Sequence, residues 1–380
     1  MTFRTTTALL TLAAIGLGNA ATAEIRLGAS VSATGPAAFL GDPEAKTLEM
    51  LVEQLNEEGG IDGEQVELVL YDDGGDPNKA RTFATRLIED DEVTAIIGGS
   101  TTGTTMSIAS LAEDEGIPFI SLAGAIEIVD PVKEYVFKTP HTDRMACEKI
   151  FADMTDRGIT TIGMISGTDG FGASMQAQCK DVAGEYDIEV AADETYGPGD
   201  ADMTPQLTRI RNTDGIQAIL NPGFGQGPAI VTRNYSQLGI ETPLYQSHGV
   251  ASDAFIELAG PDAAEGVRLP GTALLIADLL DEGDPQKEVV TAYNTAYQER
   301  YGQSPSTFGG YAHDAFQLMT NAIREAGSAE PDAIRDALEA TEGLVGTTGT
   351  YSMSAEDHLG LDLSAFRMLE VADGTWRSIE

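Results

Sequence analysis

Short runs of β-branched and apolar residues recur along the chain, each followed by a longer stretch with apolar positions at helical spacing. Ile25 to Val31, Val66 to Tyr71, Val93 to Ile97 and Pro118 to Ala123 read as buried strands. Pro43 to Glu57, a segment opening at Asp76-Pro77, and Met106 to Glu115 read as the intervening helices, the last stopped by Gly116. Thr34 to Asp42 is rich in turn formers and predicts a loop. After His141 the rhythm restarts, with a helix from Asp143 to Arg157 and a strand from Ile159 to Ser166. A Gly-rich turn to Gly172 and a helix to Tyr186 follow, and then strands at 188–192, 218–220 and 244–250. From Val267 to Ile276 the chain crosses back, because the helical segments 285–301, 309–326 and 331–341 have no strands between them. The pattern predicts an α/β protein of two units, each a parallel sheet covered on both faces.

The sharpest local signal is Ile97-Gly98-Gly99-Ser100-Thr101-Thr102-Gly103, a strand running through a glycine turn with three hydroxyls into a helix. Free N–H groups at a helix start, approachable across glycine and supplemented by hydroxyls, hold a small anion without a fixed positive charge. The stretch has no lysine, which separates it from a phosphate loop and favours a carboxylate. Equally open at this point is a plain strand-turn-helix connection with threonine as the N-cap.

Composition narrows the class. Residues 1 to 23 carry Arg4, an apolar run from Ala8 to Leu17 and Ala21-Thr22-Ala23, the pattern of a cleavable signal peptide. With no cysteine at the cleavage site to take a lipid, a free periplasmic protein is expected. The formal net charge is -39, and removing Arg4, the only charge in residues 1 to 23, leaves -40. Nucleic acid and anionic lipid are poor partners for such a surface. Self-repulsion of this size is eased by salt, since the Debye length falls from about 8 Å at physiological ionic strength to about 3 Å at 1 M. A haloadapted protein is therefore expected; stability that is equal in very dilute buffer and in molar salt would contradict it.

Other candidate chemistry is sparse. Asp72-Asp73 with Asp76-Pro77 lacks the alternating ligands of a calcium loop and reads as helix capping. The glycines of 223–227 match a dinucleotide fingerprint neither in spacing nor in a following acidic residue. No nucleophile elbow, His-Glu metal motif or Cys-His pairing stands among four histidines and two cysteines, which argues against an exported enzyme. Cys147 and Cys179 fall on helices flanking one strand, and either a disulfide or two buried thiols fits them.

Taken together, Leu27-Gly28-Ala29 with Thr34-Gly35-Pro36 and Gly41-Asp42, Asn56 to Ile61, Asp72-Asp73 with Asp76-Pro77, Ile97-Gly98-Gly99, Ala112 to Pro118, Phe171-Gly172 and Ala264 to Val267 carry a resemblance over nearly the whole length after residue 23. The chain resembles the type I periplasmic solute-binding proteins of branched-chain amino acid ABC importers. The resemblance implies two Rossmann-like lobes joined by three hinge crossings, lobe 1 being 24–140 with 272–346 and lobe 2 being 141–271 with 347–380. It further implies a monomer without cofactor or metal, which traps a small carboxylate ligand and delivers it to a membrane permease. A sensor module without transport would share this fold and pocket.

Carried over residue by residue, the resemblance places the ligand carboxylate on Thr102, with Ser100 and Thr101 beside it. The carbonyl of Ala123 faces the ligand at the start of Ala123-Gly124-Ala125. Phe171 and Phe224 close from the second lobe, Phe308 and Tyr311 form an apolar wall, and Phe39 and Leu40 line the pocket from the first loop. Two positions depart from the pattern. Ala125 stands where leucine-type binders have a hydroxyl, and His248 where they have the glutamate that pairs with the ammonium. Either Glu127 substitutes for that glutamate, or the ligand is an aromatic or other organic acid with no ammonium.

Overall fold

A computed structural model describes residues 25–379. The segment read as a signal peptide lies outside the described residues. In chain order the first unit comprises β1 (Ile25–Val31), α1 (Ala38–Glu57), β2 (Val66–Asp72), α2 (Pro77–Glu89), β3 (Ala95–Gly98), α3 (Thr102–Glu115), β4 (Phe119–Ser121) and β5 (Val136–Lys138). Its five strands lie in the order β2-β1-β3-β4-β5 and pair in parallel. The second unit contains α4 (Asp143–Asp156), β6 (Thr161–Gly167), α5 (Gly170–Val182), β7 (Glu189–Tyr196), α6 (Thr204–Arg211), β8 (Ala218–Asn221), α7 (Gln226–Gln237), β9 (Leu244–Gln246), α8 (Asp253–Ala259), α9 (Pro261–Ala264) and β10 (Arg268–Gly271). The chain then builds α10 (Lys287–Tyr301), α11 (Thr307–Ala326), α12 (Pro331–Glu339), a small ribbon of β11 (Leu344–Val345) and β12 (Thr350–Tyr351), and finally β13 (Arg367–Ala372) and β14 (Thr375–Ser378).

The second sheet has the order β14-β13-β10-β9-β8-β6-β7, parallel except at the β13 and β14 edge. Both sheets are doubly wound, as their buried apolar strands require. Helices α10 and α11 return to the first sheet: Tyr293 on α10 shares a hydrogen bond with Thr47 on α1 (2.7 Å), and Thr139 Oγ1 donates to the Tyr311 carbonyl (3.0 Å). Among the described residues, no helix is long and apolar enough to cross a membrane.

Three details differ from the sequence reading or resolve it. Helix α1 begins at Ala38, so the predicted loop ends early and Pro43 lies inside the helix. The missing proline N–H costs one helical bond, while Gly41 lets the helix run against β1, where a Cβ would sit 2.2 Å from the Ser32 carbonyl carbon. The crossing placed at residue 347 comes later. Thr347 and Thr348 donate backbone N–H groups to the Asp314 carboxylate at 2.7 and 2.8 Å, and the His358 ring stacks on Phe137, so the chain stays on the first lobe until past Gly360. Cys147 on α4 and Cys179 on α5 are joined as a disulfide across the face of β6. The acidic cluster holds local structure: Asp76 caps α2 through the N–H of Asn78 (2.8 Å), and Asp73 accepts from Ser30 and Ser32 (2.9 and 2.7 Å).

Candidate functional site

The polar end of the site grows out of β3. Gly98 and Gly99 have φ of 155° and 69°, and a Cβ on Gly99 would fall 2.3 Å from Thr105 Oγ1. The turn therefore needs glycine. Its three hydroxyls have three separate fates. Ser100 Oγ accepts from the Ser32 N–H (2.8 Å) and donates to the Glu44 carboxyl group. Thr101 is the N-cap of α3, forming a capping box with Thr104. Thr102 Oγ1 is buried and has no hydrogen-bond partner. The capping reading holds for Thr101, while Thr102 leaves a buried hydroxyl without a partner. The Thr102 and Gly103 N–H groups belong to the first helical turn and have no intrahelical acceptor.

A cavity lies beside this turn, between the lobes. Ser100, Thr101, Thr102, Ala123, Gly124 and Leu40 line it from the first unit, with Phe308 and Tyr311 from the start of α11. Phe171, Phe224 and His248 line it from the second. Phe171 sits in the first turn of α5, which Asp169 caps by accepting from the N–H groups of Phe171 and Gly172 (3.0 Å each). The rings interlock, Phe171 edge-on to Phe224 at 6.3 Å and to His248 at 5.3 Å. The lobes meet closely: a Cβ on Gly124 would lie 2.8 Å from His248 Nε2 and 2.9 Å from Phe171 Cε2.

Two of the expected residues stand behind the cavity wall. Phe39 is carried by α1 against Phe224 and Phe308, at 6.1 and 5.7 Å, and supports those rings instead of lining the space. Ala125 is fully buried, its carbonyl accepting from Lys138 Nζ (3.1 Å). Leu122, Pro140 and Gly249 also line the cavity. They were not anticipated, because they contribute backbone and small apolar surface without a chemical signature in sequence.

The charges around the cavity are as informative as its wall. Glu127, the substitute considered for a missing glutamate, is exposed. Glu44 lies behind Ser100, and complete burial together with the nearby Asp73 charge pushes its carboxyl group up to about 8, so it is neutral at pH 7. No Asp or Glu lines the cavity. On the far side of Ala125, burial brings the Lys138 ammonium down to about 7, with the Asp143 charge partly offsetting. Burial and the Lys138 charge bring His248 down to about 3, the His141 backbone partly offsetting, so its imidazole is neutral.

Two doubly wound lobes, crossed three times by the chain and meeting on a cavity lined by a helix start and aromatic rings, define a two-lobed binding protein. The chain belongs to the periplasmic binding protein family, whose model matches residues 24–375. These are binding proteins and not enzymes. It is 27% identical over 322 residues, 83% of this chain and 82% of the relative, to a leucine-, isoleucine-, valine-, threonine- and alanine-binding protein of Pseudomonas aeruginosa. An extracellular ligand-binding receptor from Rhodopseudomonas palustris HaA2 superposes with a TM-score of 0.87 at 29% identity, over 94% of this chain and all of that one. The fold is shared with the branched-chain amino acid transporter substrate-binding protein LivJ of Streptococcus pneumoniae in complex with isoleucine, at a TM-score of 0.83 and 24% identity over 93% and 98% of the two chains.

Proposed function

We propose that the protein is the extracytoplasmic solute-binding component of an ABC importer, and that it captures a small carboxylate with an apolar body by closing two lobes over it. The observation that carries this reading is the unpartnered, buried Thr102 Oγ1 at the start of α3, on the wall of an otherwise aromatic cavity. Two or three hydrogen bonds to a charged carboxylate contribute about 1.5 to 3 kcal/mol each. About 100 Å² of buried apolar ligand surface adds roughly 2.5 kcal/mol. Ordering takes back several kcal/mol, and the balance is compatible with micromolar binding, about -8 kcal/mol. No cationic side chain is required.

Within this class the cavity favours acids without an ammonium group. A desolvated ammonium without its anionic partner costs about 3 to 5 kcal/mol. Here no carboxylate lines the cavity, and Glu44 behind the wall is neutral. The second reading, a hydrophobic amino acid, is favoured by the names of the relatives. Thermal-shift screening separates the two, since a ligand that binds the closed form raises Tm by mass action. Alkanoic and aromatic acids are expected to raise Tm and their 2-amino counterparts to do so less; a response confined to amino acids overturns the ammonium-free reading.

A further inference from the structure

The carboxylate turn accounts for one polar part of the cavity, but two further side chains on its wall have polar atoms with no partner. His248 and Tyr311 are 3% and 2% exposed; Tyr311 Oη makes no hydrogen bond, and the His248 ring has no partner beyond a weak approach to the His141 backbone, which at most uses its one N–H donor. Leaving such groups unsatisfied on closure costs free energy that a ligand can recover. A carboxylate alone cannot satisfy them all. Neutral imidazole carries one N–H donor and one acceptor nitrogen, whichever tautomer is present. An ionised carboxylate only accepts, so the acceptor nitrogen of His248 needs a donor that the acid group cannot supply.

An ammonium could donate, but it would arrive as a bare cation at a wall with no carboxylate and with Lys138 behind Ala125. A hydroxyl brings a donor and an acceptor at no such cost. The rings leave no doubt about where His248 sits. Its Nε2 lies over Gly124, on the cavity wall, and its ring stands edge-on to Phe171 at 5.3 Å and to Phe366 at 5.4 Å, so it is held in place by packing. Tyr311 reaches the same cavity from α11, beside Phe308 at 6.1 Å.

We infer that His248 and Tyr311 form a second polar subsite that selects carboxylates bearing an uncharged hydroxyl group on their apolar body. This rests on the ammonium-free reading above. One matched trio and two matched pairs test it by calorimetric titration of the full chain: 4-methylpentanoate, 2-hydroxy-4-methylpentanoate and leucine, with benzoate against 4-hydroxybenzoate and phenylacetate against mandelate. In at least one pair the hydroxy acid is expected to bind about tenfold more tightly than its parent. His248→Phe should erase that preference, bringing each hydroxy acid and its parent to within about threefold of one another, and His248→Gln, which keeps a donor and an acceptor, should retain it. Equal affinities in every pair for the wild type overturn the subsite and leave the ammonium-free reading standing. Leucine binding more tightly than both of its analogues overturns that reading and the subsite with it. A hydroxyl preference that survives His248→Phe also overturns the assignment.

Discussion

The two lobes bring opposite chemistry to one cavity. The first-lobe wall is built at β3 and α3 from glycine, hydroxyls and free helix-start N–H groups, and beneath it Thr105 Oγ1 bridges the Gly99 carbonyl (2.6 Å) and Ser121 Oγ (2.9 Å). The second-lobe wall is almost entirely ring surface: Phe171, Phe224 and the neutral ring of His248. Capture and closure are thereby divided. On the proposed reading a carboxylate is bound from the first lobe alone, because the donors at β3 and α3 all come from one strand-turn-helix unit. The aromatic wall contributes only when the lobes meet and water leaves, which links burial of the ligand's apolar part to closure.

The difference between the lobes can be broken in several ways. The largest expected effect is on the second lobe alone: reducing the Cys147–Cys179 disulfide should lower its stability by about 2 to 4 kcal/mol, measured by hydrogen exchange that speeds up in 143–186 and not in 25–138. Thr102→Ala should weaken carboxylate binding by about 1.5 to 3 kcal/mol with little change in Tm. Its neighbour inverts the pattern. Thr101→Ala removes the α3 cap and should cost about 1 kcal/mol of stability, read by denaturant titration. Unchanged binding in Thr102→Ala would remove the anchor from this residue.

Gly124→Ala probes the contact between the walls. Its methyl group would meet His248 and Phe171 only when the lobes are closed, so overpacking of about 1 to 3 kcal/mol should fall on the closed form. Ligand affinity should drop while the ligand-free Tm holds, and small-angle scattering should show a more open molecule. The last effect concerns Glu44. Its carboxyl group, raised from 4.5 to about 8, stabilises the fold fully below pH 4.5, and that contribution is lost as pH rises through about 8. Melting curves of Glu44→Gln should decline less than wild type between pH 4.5 and about 8, the window set by those two values.

The first-lobe wall was the more legible in sequence, because a strand, a glycine turn and a capped helix are local features that fix their own geometry. What local pattern left open was which hydroxyl is free. That depends on Glu44 and Ser32, distant in sequence, taking Ser100. Phe39 was misplaced for a related reason: Pro43 read as a first helical residue, whereas α1 starts at Ala38 and turns Phe39 behind the cavity. The second-lobe wall rested on the family resemblance, since Phe171, Phe224 and His248 come from three separate segments that only the tertiary fold assembles. Lys138, at the end of the short strand Val136–Lys138, gave no sequence sign of complete burial. Its place behind Ala125 is a product of packing at the hinge.

The most direct test of the central claim is a calorimetric comparison of 4-methylpentanoate and its hydroxy derivative with leucine on the wild-type protein. The account predicts that at least one of the ammonium-free acids binds near the micromolar range and that leucine binds at least about tenfold more weakly. Tighter binding of leucine than of both acids would contradict it.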